Sequence, residues 1–225
     1  MSMKLKVLGL GLIAAMAMGS FAVLNASASV SGHFTHDAAG GHAIIKGLEG
    51  PGTAHRVKFS TGGTPIECDE ARYEGTVSSS TVTTLDVLPI YSKCHTEGAA
   101  AGSVVVDVRG CTFRFHSNSG AAPHTPATHA TTGLVCPAGV DGILVTHPNC
   151  TMRMPPQALS GVTYTTTVEN NKHAITLNAT VGGITAHYES GICIFLGTKQ
   201  TGTMNGSATV WAENTAGERV NITAT

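Results

Sequence analysis

Apolar and polar residues alternate along much of the chain. Val57 and Phe59 stand between Arg56 and Lys58, and Val104, Val106 and Val108 alternate with Val105, Asp107 and Arg109. Cys111, Phe113 and Phe115 face Thr112, Arg114 and His116, while Cys150, Met152 and Met154 alternate with Thr151 and Arg153. Ile175, Leu177, Ala179 and Val181 make another row, as do Ile184, Ala186 and Tyr188 against Thr185, His187 and Glu189. In an extended chain successive side chains point to opposite faces. Each run therefore predicts a strand with one face to a core and one to water.

Turn formers punctuate these runs: Thr61-Gly62-Gly63-Thr64-Pro65, Pro137-Ala138-Gly139, His147-Pro148-Asn149 and Val181-Gly182-Gly183. Strands this close together, joined by such turns, predict antiparallel hairpins. No helical periodicity longer than two turns is present. The predicted fold is all-β: an antiparallel β-sandwich or barrel-like body, as one domain or two small related β-units divided near residues 100–110. An echo between Ile66-Glu67-Cys68 and Ile192-Cys193 is the only trace of such a duplication, and chance explains it as well in a chain rich in Thr and Gly. The Ala- and Thr-rich stretch Gly120–Thr132 reads as an exposed low-complexity loop.

The N-terminus has a different pattern. Lys4 and Lys6 precede an apolar run from Val7 to Leu24, followed by Ala26-Ser27-Ala28. A positive start, an apolar middle and a small-x-small ending predict a cleavable export signal over residues 1–28, with Ser29 as the mature start. The run is just long enough to span a bilayer, so an uncleaved anchor is the rival reading. Residues 29–54 read as a partly ordered N-terminal arm or edge strand, and residues 55–225 as the β domain. No second apolar span follows, so no stable membrane span is expected after cleavage.

Composition narrows the classes of partner. Charged residues are only 12% of the chain, about half the usual share, with Thr, Ser, Gly and Ala in their place. That favours strands and turns over helices. Of 13 basic residues two lie in the signal, which leaves 11 against 14 acidic ones and no basic run. A nucleic-acid surface needs clustered Lys or Arg, so no nucleic-acid partner is expected.

Six cysteines, Cys68, Cys94, Cys111, Cys136, Cys150 and Cys193, all follow the signal. An even count in an exported chain predicts three disulfides. Cys68–Cys94 is the favoured pair because the two flank a strand-rich segment, a closure worth roughly 3–4 kcal/mol in the chain-entropy model. The other four admit three pairings. No two cysteines have zinc-site spacing, and Cys-x-x-Cys is absent.

Chemistry is thinly represented. His33, His36, Asp37 and His42 carry donors suited to zinc or copper, but without the i, i+4 spacing that aligns ligands on a helix. They support the alternative of a secreted metal-dependent hydrolase. His116, His124 and His129 read as surface residues around the low-complexity loop. Glu67, Asp69, Glu70 and Glu74 read as a solvated edge, since Asp69 and Glu70 are strand neighbours facing opposite ways. There is no Gly-x-Ser-x-Gly elbow. A carbohydrate-binding module, a third alternative, needs rows of exposed aromatics. Trp211, the only tryptophan, reads as core or rim. No cofactor and no catalytic residue is implied.

The runs IECDEARYEGT, LDVLPIYSKC, GCTFRF, GLVCPAG and NCTMRMPPQALSGVTY, with their ordered cysteines, resemble a group of exported β-rich proteins of actinobacteria. The likeness covers roughly Val57 to Val210. It implies a secreted or cell-surface β-protein and no established activity, so no site residues carry over. The expected function is that of an extracellular or envelope-associated structural or binding protein. Its ligand is unknown and is expected at the cell surface or outside the cell.

Overall fold

A computed structural model describes residues 32–50, 56–97, 101–117, 127–193, 196 and 201–224. The export signal over residues 1–28 and its cleavage point lie outside the described residues. The strands are β1 (Phe34–His36), β2 (Ala43–Glu49), β3 (Val57–Ser60), β4 (Ile66–Val77), β5 (Thr81–Val82), β6 (Thr84–Thr96), β7 (Gly102–Asp107), β8 (Thr112–His116) and β9 (Ala127–Val135). They continue with β10 (Ile143–His147), β11 (Cys150–Met154), β12 (Gln157–Glu169), β13 (Lys172–Thr185), β14 (His187–Gly191), β15 (Thr201–Glu213), β16 (Arg219–Val220) and β17 (Ile222–Ala224). Among the described residues the only helix is the 3-10 turn Ala39–Gly41, so none is long and apolar enough to cross a membrane.

Eight antiparallel strands close on themselves in the order β6-β8-β9-β12-β13-β15-β2-β4, with β4 returning to β6. The body is thus the barrel of the two expected all-β architectures. β3 continues the wall position of β2, because it pairs with the same two neighbours, β15 and β4. Closure removes the unpaired edges that an open sheet would expose. Two smaller sheets complete the fold. β6 is shared: Thr84–Val87 pairs with β8 in the barrel, while Cys94–Thr96 pairs with β7, which leads to β10, β11 and β14. β1 lies between β17 and β5 in a separate three-stranded sheet.

The alternation read from the sequence decides which side of the wall each residue takes. Phe59, Phe113, Phe115, Ile175, Val181, Ile184 and Val210 are buried in one continuous core. Their neighbours face outward and form cross-strand ion pairs, such as Lys46–Glu74 at 2.8 Å, Lys58–Glu67 at 2.7 Å and Arg219–Glu169 at 2.8 Å. Asp86 takes both guanidinium arms of Arg114, at 2.8 and 2.7 Å. Such exposed pairs add about 0–1 kcal/mol each. Hydrocarbon inside and charge outside is the reverse of the pattern of a barrel embedded in lipid. Close approach of β4 and β6 requires Gly75, where a Cβ would stand 2.3 Å from the Asp86 carbonyl oxygen.

Three disulfides each staple neighbouring strands. Cys68 and Cys94 are directly opposite on β4 and β6. Cys111 and Cys136 flank the paired residues Thr112 and Val135 of β8 and β9. Cys150 sits opposite Gly191 and is bonded to Cys193 just beyond β14. Bonds of this kind persist in an oxidising environment, which is where the folded chain belongs.

Two segments differ from expectation. Within Gly120–Thr132, residues 127–132 belong to β9 and pair with β12, and Thr132 is also paired with Phe115 of β8. Small and β-branched residues gave this stretch no apolar stripe, and its strand state comes from pairing with β12, joined by β8 from Thr132 onward. The segment 29–54, read as a partly ordered arm or edge strand, supplies β1 and also β2, which is paired on both sides in the wall.

At the junction of β1 and β17, the Asp37 carboxylate accepts the Asn221 backbone N–H at 2.7 Å and its side-chain amide at 2.5 Å. Partial burial pushes this carboxyl up, but the two Asn221 bonds and the Lys172 charge outweigh it and hold it below its ordinary value. A depressed acid stabilises the fold above its unfolded pKa, and that contribution disappears as pH falls through the folded value. Asp37→Asn should therefore blunt the loss of stability on acidification below the ordinary carboxylate range. Urea midpoints at stepped pH check this, and parallel midpoint curves for the two proteins would contradict it.

Candidate functional site

Inward side chains do not fill the barrel completely. Three cavities follow one another along its axis. The first, of about 40 Å³, is lined by barrel residues such as Ile66, Leu159 and Ile184 and by Val106, Ile143, Val145 and Met154 of the β7–β10–β11 sheet, which covers that end. The second, also about 40 Å³, is lined by Thr132, Val162, Leu177, Ala179 and others at mid-barrel. The third, about 10 Å³, lies beneath Phe34 of β1, between Leu85, Tyr164 and Ile175. The small sheets therefore cover opposite ends of the lumen.

The order of the cavities is visible along single strands. On β15 the lining passes from Met204 through Ala208 to Val210, and on β13 from Ile184 through Ala179 to Ile175. Val57, Phe113, Leu159 and Met204 line both the first and second cavities and form the partition between them. Phe115 and Leu177 do the same between the second and third. One water needs roughly 10–15 Å³ on this measure, so each larger cavity exceeds it about threefold. Met154 and Met204 are unbranched and adaptable, which lets such walls reshape around a guest.

Polar groups at the lumen are few. Thr132 on β9 is 3% exposed, lines the second cavity, and its Oγ1 has no hydrogen-bond partner among the described residues. Tyr73 lines the same cavity and Tyr91 the first. Tyr73 and Tyr91 are engaged with each other, and burial foremost holds both phenols above their ordinary value. The Glu49 carboxylate nearby acts in the same direction on both. Glu49 itself is pushed up by burial, against the opposing effects of the Val57 N–H at 3.4 Å and of Arg56.

The residues singled out from the sequence lie elsewhere. His36 is buried outside the lumen, with Nε2 2.9 Å from the Ser79 carbonyl oxygen and Nδ1 accepting the Ala38 N–H at 3.3 Å. Asp37 is engaged with Asn221, His33 is half-buried with partners of its own, and His42 is exposed at the end of the 3-10 turn. Each of these contacts serves the β1 region. Among the described residues no three His, Cys, Asp or Glu side chains gather to hold a metal ion.

The acidic group is divided among bases on neighbouring strands. Glu67 meets Lys58, Asp69 meets Arg56 at 2.9 Å, Glu70 meets Lys93 and Ser92, and Glu74 meets Lys46. Trp211 is half-buried on the outer wall. Its ring face carries the Arg219 guanidinium at 4.3 Å, and its indole N–H donates to Glu213. That face is already covered and is no open platform for a sugar ring.

Sequence reasoning missed the lumen lining as a site. Phe113, Ile184 and Val57 were legible as inward residues, but nothing local marks a core residue as bordering empty space. Thr132 was hidden in a segment read as loop. No protein-family model, curated protein or solved structure matches the chain.

Proposed function

We propose that this chain is an exported, non-catalytic binding protein whose barrel lumen holds a slender apolar ligand. The in-line series of apolar cavities carries this reading. A dry hydrocarbon-lined space is a poor site for water and a good one for small apolar molecules. Met204, which stands on the partition between the two larger cavities, is adaptable enough to give way to a guest that reaches both. Export is supported by the signal ending at Ala26-Ser27-Ala28, by the three disulfides, and by the likeness to exported actinobacterial β-proteins.

Two measurements test it. Protein secreted from an oxidising host should begin at Ser29 by intact mass. Thermal unfolding of that protein with rising n-hexane should move upward and saturate. Occupancy at a hundred times the dissociation constant stabilises by about 2.7 kcal/mol. No shift at the solubility limits of both n-hexane and 1-hexanol would exclude the lumen as a ligand site.

A further inference from the structure

We propose that the ligand of the lumen is an uncharged, mostly hydrocarbon molecule with a single hydrogen-bonding oxygen, and that Thr132 reads that oxygen. This rests on the lumen being the ligand site. Thr132 Oγ1 is buried at the wall of the central cavity, and no protein group among the described residues bonds with it. A buried hydroxyl without a partner is strongly disfavoured, and a valine of the same shape would leave nothing unsatisfied. The position is in the barrel wall, between Phe115 of β8 and Leu159 of β12. An unpaired hydroxyl there suits a partner that arrives from outside the chain.

The surroundings define the chemistry of that partner. The lining of the central cavity is mostly hydrocarbon; beside Thr132 its polar residues are Tyr73, Asn205, which is exposed, and Ser207, which has a partner of its own, and no carboxylate, Lys, Arg or His lines it. A charged headgroup would be stripped of water with no counter-charge, which excludes carboxylates and amines. A hydroxyl both donates and accepts, so it pairs with an alcohol, an aldehyde or ketone, or an ester oxygen. The other phenol on this cavity, Tyr73, is engaged with Tyr91. A water molecule is a weaker candidate, because it needs two to four polar partners. The hydrocarbon part of the ligand extends toward the first cavity, past Met204 and Leu159, since the third cavity, of about 10 Å³, is too small to take it.

Calorimetric or thermal-shift titration of the oxidised mature protein with n-hexane, 1-hexanol and hexanoate separates the possibilities. Thr132→Val should weaken 1-hexanol relative to n-hexane by about tenfold, the equivalent of one neutral hydrogen bond. Thr132→Ser should keep the wild-type ratio of the two affinities, since it keeps the hydroxyl. Hexanoate should bind most weakly to all three proteins. An unchanged hexanol-to-hexane ratio in Thr132→Val, or hexanoate as the tightest ligand, would overturn the role of Thr132 while leaving lumen binding in place. Failure of both n-hexane and 1-hexanol to bind the wild type would remove the site itself.

Discussion

Full reduction of the three disulfides is expected to unfold this protein at room temperature in the absence of denaturant. The closed segments span 26, 25 and 43 residues. In the chain-entropy model each closure contributes roughly 3.5–4 kcal/mol by restricting the unfolded chain. Cys68–Cys94, Cys111–Cys136 and Cys150–Cys193 follow one another along the sequence without overlap. Each therefore restricts a different part of the unfolded chain, and the three contributions add to roughly 11 kcal/mol. That is comparable with the whole stability of an ordinary domain, roughly 5–15 kcal/mol. The paired variant Cys68→Ala/Cys94→Ala, with the other two bonds intact, should lose about 3–4 kcal/mol and remain folded. Near-ultraviolet circular dichroism with and without reductant checks the first expectation, and urea unfolding of the variant checks the second. A reduced protein with an unchanged urea midpoint would show that the barrel stands without its staples.

Phe113→Ala is expected to have the largest effect of any single lumen substitution. Phe113 is buried on β8, two residues from Cys111, and borders both larger cavities. Removing the ring deletes a partition and leaves a void that the stapled wall cannot collapse to fill. Phe-to-Ala changes in cores cost about 3–5 kcal/mol. For a chain of this size that lowers the melting temperature by roughly 6–20 °C. The same substitution joins the first and second cavities, so n-hexane should protect the variant more than it protects the wild type. Val105→Ala is the matched control. Val105 lies on β7, 64% exposed, and its loss should change stability by less than about 0.5 kcal/mol. Urea and thermal unfolding with and without n-hexane measure all of these. A Phe113→Ala variant as stable as Val105→Ala would mean that the lumen is not the structural core.

The period-two rows carried the fold class and most of the inward faces. Phe113 and Phe115, Met152, Ile175, Val181 and Ile184 are buried as their alternation requires, while Val105, His187 and Glu189 face outward. This part is legible because a strand's side-chain direction is a local property of the backbone. Residues 127–132 show where local reading ends. Ala127-Thr128-His129-Ala130-Thr131-Thr132 has no apolar stripe of its own, and its strand state depends on pairing with the distant strand β12, with β8 joining at Thr132. The histidines near the N-terminus mislead in the opposite direction. His33, His36 and His42 are close in sequence, yet the chain turns between them, and His36 and Asp37 are taken up by Ser79 and Asn221 from distant parts of the chain.

The sequence by itself determined that the chain is built of strands, that it is bonded through an even set of cysteines, and which residues of each strand belong inside. Those properties depend on composition and on neighbours one or two positions apart. The tertiary structure alone decided that the strands close into a barrel, because closure is the return of β4 to β6, and that pairing depends on register between distant segments. It also decided which cysteines meet, since each bond requires two strands already side by side. Last, it left a gap in the core and set Thr132 against it, because unfilled volume is the sum of many side chains that no stretch of sequence holds together.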